Sequence, residues 1–128
     1  LRDLASNLGV ILALSPAVQA ATIKGSAVDL LGFQGAVLVV NTGAVAGAGD
    51  YTAKMQESDT TTDGDFADVA ADNLIGALPA SLTADGSFKQ GYVGHKRYVR
   101  VVLTKNSGTS IAAGAVVVRG HANKRPVA

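Results

Sequence analysis

Three stretches of this sequence hold residue types that could do chemistry. "DTTTDGDFADV", residues 59–69, sets Asp59, Asp63, Gly64 and Asp65 at the offsets of a calcium-binding EF-hand loop. "GAVAGAGD", residues 43–50, is glycine-rich in the manner of a phosphate-cradling loop. "GHKRYVR", residues 94–100, clusters Lys96, Arg97 and Arg100, with His95, around Tyr98, a combination that can contact phosphates and stack a base.

Each falls short on spacing. The twelfth position of the acidic loop, which should hold a bidentate Glu, is Ala70, and both flanks read as strands. Asp63-Gly64 is instead a turn signal, so the stretch reads as a hairpin between strands at 51–58 and 66–69. The glycine-rich segment lacks the Gly-Lys-Ser/Thr ending and opens no helix, which leaves a connecting loop. The basic cluster sits in a chain with no Trp, three Phe and three Tyr, too few rings for a base-stacking platform. Arg97 and Arg100 read better as partners for acids, within the sheet or across an interface.

Catalysis has still less to stand on. There is no Gly-x-Ser-x-Gly elbow, no His-Glu-x-x-His and no Cys. Asp63 and Asp65 share an exposed turn where nothing would drive their pKa values apart. With His95 and His121 isolated, the expectation is no enzyme, no metal and no cofactor.

The elements that must carry these residues are strands. Of the 128 residues 22 are Ala and 16 Val, a supply of small and β-branched side chains suited to thin, closely packed sheets. "YTAKMQES" (51–58) alternates, with Tyr51, Ala53 and Met55 on one face. "YVRVVLTK" (98–105) turns Val99, Val101 and Leu103 inward and Tyr98, Arg100 and Thr104 outward. "AVLVVN" (36–41) is a continuous apolar run and reads as central to a sheet. Further strands fall at 26–33, 87–93 and 115–119, with a short helical turn within 67–80. Seven or eight short strands predict an all-β fold, an antiparallel β-sandwich or squashed barrel with an extended or partly helical N-terminal arm.

Residues 1–20 form that arm, 21–122 the sandwich domain and 123–128 a basic, frayed tail. The opening "LRDLASNLGVILALSPAVQAAT" imitates a secretory signal, but Asp3 cancels Arg2 and Asn7 adjoins the apolar run, so it reads as a retained segment. The run is too short to span a membrane. Docked on this subunit or on a neighbour, the arm reads as a first strand or as a short helix, on which Leu4, Leu8 and Leu12 would share a face. With Ile11 they are the candidate docking residues of an arm whose role is contact beyond its own core, since the remaining strands suffice for a sandwich.

Charge is segregated along the chain. Residues 50–85 hold eight acids against Lys54, and residues 86–128 hold eight bases and no acid. Two outcomes follow: the halves neutralise each other within the sheets, or they present opposite faces to neighbouring subunits. Lys96, Arg97 and Arg100 are the interface candidates under the second. A net charge of +1 argues against nucleic acid as a partner.

Nearly the whole chain resembles a family of small proteins encoded in the head modules of tailed phages and prophages. The resemblance lies in "LRDLASNLGVILALSPAVQAA", "GFQGAVLVVNTGAV", "AKMQESDTTTDGDFADV" and "GYVGHKRYVRVVLTKNSGTSIAAGAVVVRG". It implies a virion protein made in the host cytoplasm, a decoration (cement) protein on the outside of the capsid, with the major capsid protein as partner. It also implies a homo-trimer or other homo-oligomer. A head-completion or neck protein is the alternative, and the resemblance assigns no residue a role. From a different class, an extracellular carbohydrate-binding module would suit a β-sandwich, but the scarcity of aromatics speaks against sugar stacking.

Overall fold

The computed structural model describes residues 2–127. Ten strands follow in chain order: β1 (Gly9–Gln19), β2 (Ile23–Lys24), β3 (Val28–Asp29), β4 (Phe33–Ala46) and β5 (Asp50–Ser58). Then come β6 (Ala67–Asp68), β7 (Leu74–Ile75), β8 (Ser87–Tyr92), β9 (Tyr98–Ser107) and β10 (Ser110–Ala122). Single 3₁₀ turns lie at Ala5–Asn7, Asp63–Asp65 and Ala71–Asn73. The last falls inside the segment expected to hold a helical turn.

All pairings are antiparallel. The first sheet runs β1-β10-β4-β8-β7 and the second β2-β9-β5-β6, with β3 also on β9. The fold is an open two-sheet sandwich, which settles the sandwich-or-barrel alternative. The alternation seen in the sequence sets the faces. Ala53 opposite Leu103 and Met55 opposite Val101 point inward from the second sheet. Leu38 opposite Val117 and Val40 opposite Ala115 meet them from the first. Tyr51, fully buried, spans the gap: its hydroxyl donates to the Gln19 carbonyl at 2.9 Å. Tyr92 does the same from the other side, donating to Glu57 Oε1 at 2.6 Å while accepting from the Lys96 amide. Burial and the adjacent carboxylate push the Tyr92 hydroxyl pKa upward.

Several expectations need correction. The segment read as a separate arm is mostly β1, a full edge strand on β10 that buries Ala13 and Leu14 in the core. An apolar run of this length satisfies its backbone better in a ladder than in an appendage. Its register slips at Leu12–Leu14 and again before Ala17, around Pro16, a residue without an N–H that an edge strand tolerates. Near this bulge β1 approaches the second sheet, and Ser26 donates to the Ala13 carbonyl at 2.9 Å. Only glycine fits at position 25, where a Cβ would lie 2.3 Å from that same oxygen.

The glycine-rich segment is less of a loop than expected. β4 continues through Ala46, and the chain reverses at Gly47 and Ala48, with φ of +59° and +55°. The strand expected over 26–33 shortens to Val28–Asp29. The 51–58 and 66–69 strands do pair, Gln56 with Asp68 and Glu57 with Ala67, but around a wide loop and not a two-residue turn at Asp63-Gly64. In the tail, Val127 donates to the Ser6 carbonyl at 2.8 Å and Asn123 to Gly32 at 2.8 Å, so the tail lies against the start of the chain.

Candidate functional site

The two outer surfaces of the sandwich differ in kind. On the second sheet, the wide loop 59–66 folds over β5 and β9 and consumes their charges. Arg100, placed outward by the alternation, is only 6% exposed because this loop covers it. Its Nη1 donates to Asp63 Oδ1 at 2.6 Å, its Nε to Gln56 Oε1 at 2.9 Å, and its guanidinium stacks 4.2 Å from the Phe66 ring. Lys24 Nζ adds a contact to Asp63 at 3.1 Å. Arg100 and then Lys24 hold the Asp63 carboxyl below the ordinary carboxylate range.

The other charged candidates are paired in the same way. Arg97 makes a two-pronged contact to Asp29, Nε at 3.0 Å and Nη2 at 2.8 Å, which lowers the Asp29 pKa and raises that of Arg97. Lys96 Nζ lies 2.9 Å from Asp59, whose carboxylate raises the lysine pKa. Lys54 meets Asp68 at 3.1 Å, and the Gln56 amide with Lys54 lowers the Asp68 pKa. Two of these pairs, Lys96–Asp59 and Arg100–Asp63, join the basic segment to the acidic one within the chain. Lys96, Arg97 and Arg100 each serve an acid of their own chain. Exposed pairs of this sort contribute little stability individually.

The acidic stretch is thus a bracket over the second sheet. Asp63 is engaged by two bases, Asp59 by Lys96, and Asp65 accepts from the Thr60 hydroxyl at 2.6 Å. Among the described residues no three His, Cys, Asp or Glu side chains gather as metal ligands. No described helix is long and apolar enough to cross a membrane.

The outer side of the first sheet is apolar. The register aligns Val10 with Val118, Val118 with Val37, and Val37 with Gly91; one step along, Leu12 aligns with Val116 and Val116 with Val39. These positions alternate with the core residues, so they point away from the second sheet. Val10, Leu12 and Val18 are 61%, 52% and 70% exposed, and the four valines of β4 and β10 are half-buried. Ile75 and Val93 extend the surface across β8. A hollow of about 470 Å³ lies on the same side, floored by Gly43 and Gly114 and walled by Leu12, Pro16 and Val18.

The four apolar candidates divide accordingly. Leu12 lies on this surface. Ile11, opposite the buried Val117, faces the rim of the core and is 36% exposed. Leu4 is exposed ahead of the first 3₁₀ turn, and Leu8 is half-buried beside Gly120. The helical grouping of Leu4, Leu8 and Leu12 dissolves because the segment is extended. The residues that complete the surface, Val10, Val37, Val39, Val116 and Val118, were hidden inside apolar runs. The legible signal was that both faces of "AVLVVN" and "AVVVR" are apolar, and among the described residues no α-helix covers the second face.

Comparison with known proteins adds little. The sequence matches no protein-family model and no curated protein. Among solved structures it is similar to a chain from a structure of infectious bursal disease virus, Gx strain, with 18% identity and a TM-score of 0.43. The match covers 93% of this chain and 33% of that one, so this chain spans about a third of its length. A likeness at this level decides neither family nor function.

Proposed function

We propose that this chain is a structural component of a tailed-phage particle: a decoration protein that binds the outside of the major capsid shell and stabilises it, with no catalytic step and no cofactor. The observation that carries the reading is the contrast between the two outer faces. One is closed by its own ion pairs; the other is a broad apolar sheet face that costs free energy while it stays in water. Such a surface suits permanent contact and offers no means of turnover. The resemblance of the sequence to head-module proteins supplies the kind of particle.

Many copies on one shell would hold it jointly, since each bound copy raises the effective concentration of the contacts around it. The test is co-sedimentation of purified protein with heads that lack it, followed by counting copies per particle. Binding in many copies over the shell, with a higher temperature of head disruption, is expected. Binding at a single vertex in a small fixed number would assign the protein to the neck instead. No binding to heads would overturn the reading.

A further inference from the structure

We propose that the apolar outer side of the first sheet is covered by a second copy of this chain, the two sheets packed face to face about a two-fold axis. The inference rests on the reading of that face as a permanent contact surface, and it names the partner.

Three observations on the face point to a copy of itself. The first is charge. The two outward rows are Val10–Val118–Val37–Gly91–Ile75 and Leu12–Val116–Val39–Lys89, and Lys89, at the end of its row, is the only charged residue in them. A surface that meets its own copy must tolerate its own charges, and this one has almost none to oppose. The outer side of the second sheet, with Lys24, Lys54, Asp63 and Asp68 exposed, does not meet that condition.

The second is area. Val10, Leu12, Val18, Ile75 and Val93 are each more than half exposed. With the half-buried valines they offer on the order of 600 Å² of apolar surface, against the roughly 800 Å² that a standard interface takes from each partner. The backbone and small side chains between the rows make up much of the remainder.

The third is relief. β1 raises a ridge of large side chains, Leu12 and Val18, along the edge of the hollow over Gly43 and Gly114. Ridge and hollow lie side by side on one sheet. A two-fold axis lying in the plane of the interface, between ridge and hollow, would set the ridge of each copy into the hollow of the other, in the layered manner of two stacked sheets. A single patch that contains both shapes closes on itself and leaves no open end.

The experiment uses the purified chain alone, without heads, in sedimentation equilibrium between 1 and 100 µM (about the range that separates weak from stable association). The expected species has twice the 12.9 kDa mass of one chain. Leu12→Glu and Val116→Lys, which place charges on the face without touching the core, should each weaken association by roughly a hundredfold or more with unchanged circular dichroism. Lys54→Glu, on the other sheet, should leave it intact. A wild-type chain that is monomeric at 100 µM, an assembly of three or more copies, or a dimer that survives both face variants would each overturn the proposal. Because heads are absent, a monomer that still pellets with heads removes this inference and leaves the decoration reading standing. A dimer that ignores heads does the reverse.

Discussion

Replacing Tyr51 with Phe removes a single oxygen from the centre of the molecule, and the structure fixes what that oxygen does. The ring is fully buried in the second sheet, and its hydroxyl donates to the Gln19 carbonyl at the end of β1, with the Thr109 carbonyl further off at 3.4 Å. The ring stays in Tyr51→Phe, so no cavity forms; the loss is one buried hydrogen bond and an acceptor left without that donor. Such a loss costs about 1–2 kcal/mol. With an unfolding entropy near 2.1 cal/mol/K per residue, a chain of this length should lose about 4–7 °C in Tm. Tyr51→Ala also removes the ring and should cost about 3–5 kcal/mol. Far-UV circular dichroism melts measure both, since the chain has no Trp to report by fluorescence. A Phe variant that melts within a degree of wild type, beside a strongly destabilised Ala variant, would show that the hydroxyl is not holding the two sheets together there.

Other substitutions probe the remaining layers. Val101→Asp, 1% exposed at the centre of β9, should abolish folding, because an unpaired buried carboxylate costs several kcal/mol; native proton spectra of the variant would refute the core assignment. Arg100→Ala should stay folded but lose about 1–3 kcal/mol with the Gln56 bond and the Phe66 stack, and an unchanged Tm would show that the loop does not clamp it. Asp29, Asp63 and Asp68 all titrate lower when folded than the ordinary 3.8, so their contribution is present above about pH 4 and is lost as pH falls through the depressed values, where the unfolded chain binds more protons. Melts from pH 6 to 2.5 should therefore drop below about pH 4, with a shallower drop in Asp29→Asn; identical acid slopes would remove Arg97–Asp29 from the account. Deletion of residues 1–20 should unfold or aggregate the chain, because it strips β10 of a neighbour and the core of Ala13 and Leu14; a monomeric, β-rich product would return the segment to the status of an arm.

What the sequence disclosed was whatever has a two-residue period. Tyr51, Ala53 and Met55, and Val99, Val101 and Leu103, point where alternation says, although on β9 the outward Arg100 and Val102 are buried too. Arg100 broke the rule through a contact remote in sequence: a loop about forty residues upstream folds over it, and no local pattern encodes that cover. "AVLVVN" is central to its sheet, as read, yet a run apolar on both faces looks the same whether the second face is covered or bare. The sequence therefore showed that the second face is apolar but not that it stays bare. The N-terminal segment stayed open between strand and helix, since Leu4, Leu8 and Leu12 fit a helix while the Pro16 bulge hides the alternation of a strand.

The position of β10 also sets a schedule. It lies between β1 and β4 in the first sheet, yet it leaves the ribosome after every other strand of the fold. At about 5–20 residues per second, roughly 4–15 s separate the completion of β4 from that of β10. For all that time two long apolar strands have an empty lane between them, and any nascent copy nearby presents the same vacancy. The first sheet can close only after its last strand has been made. Chains released before residue 110 would keep the gap for good.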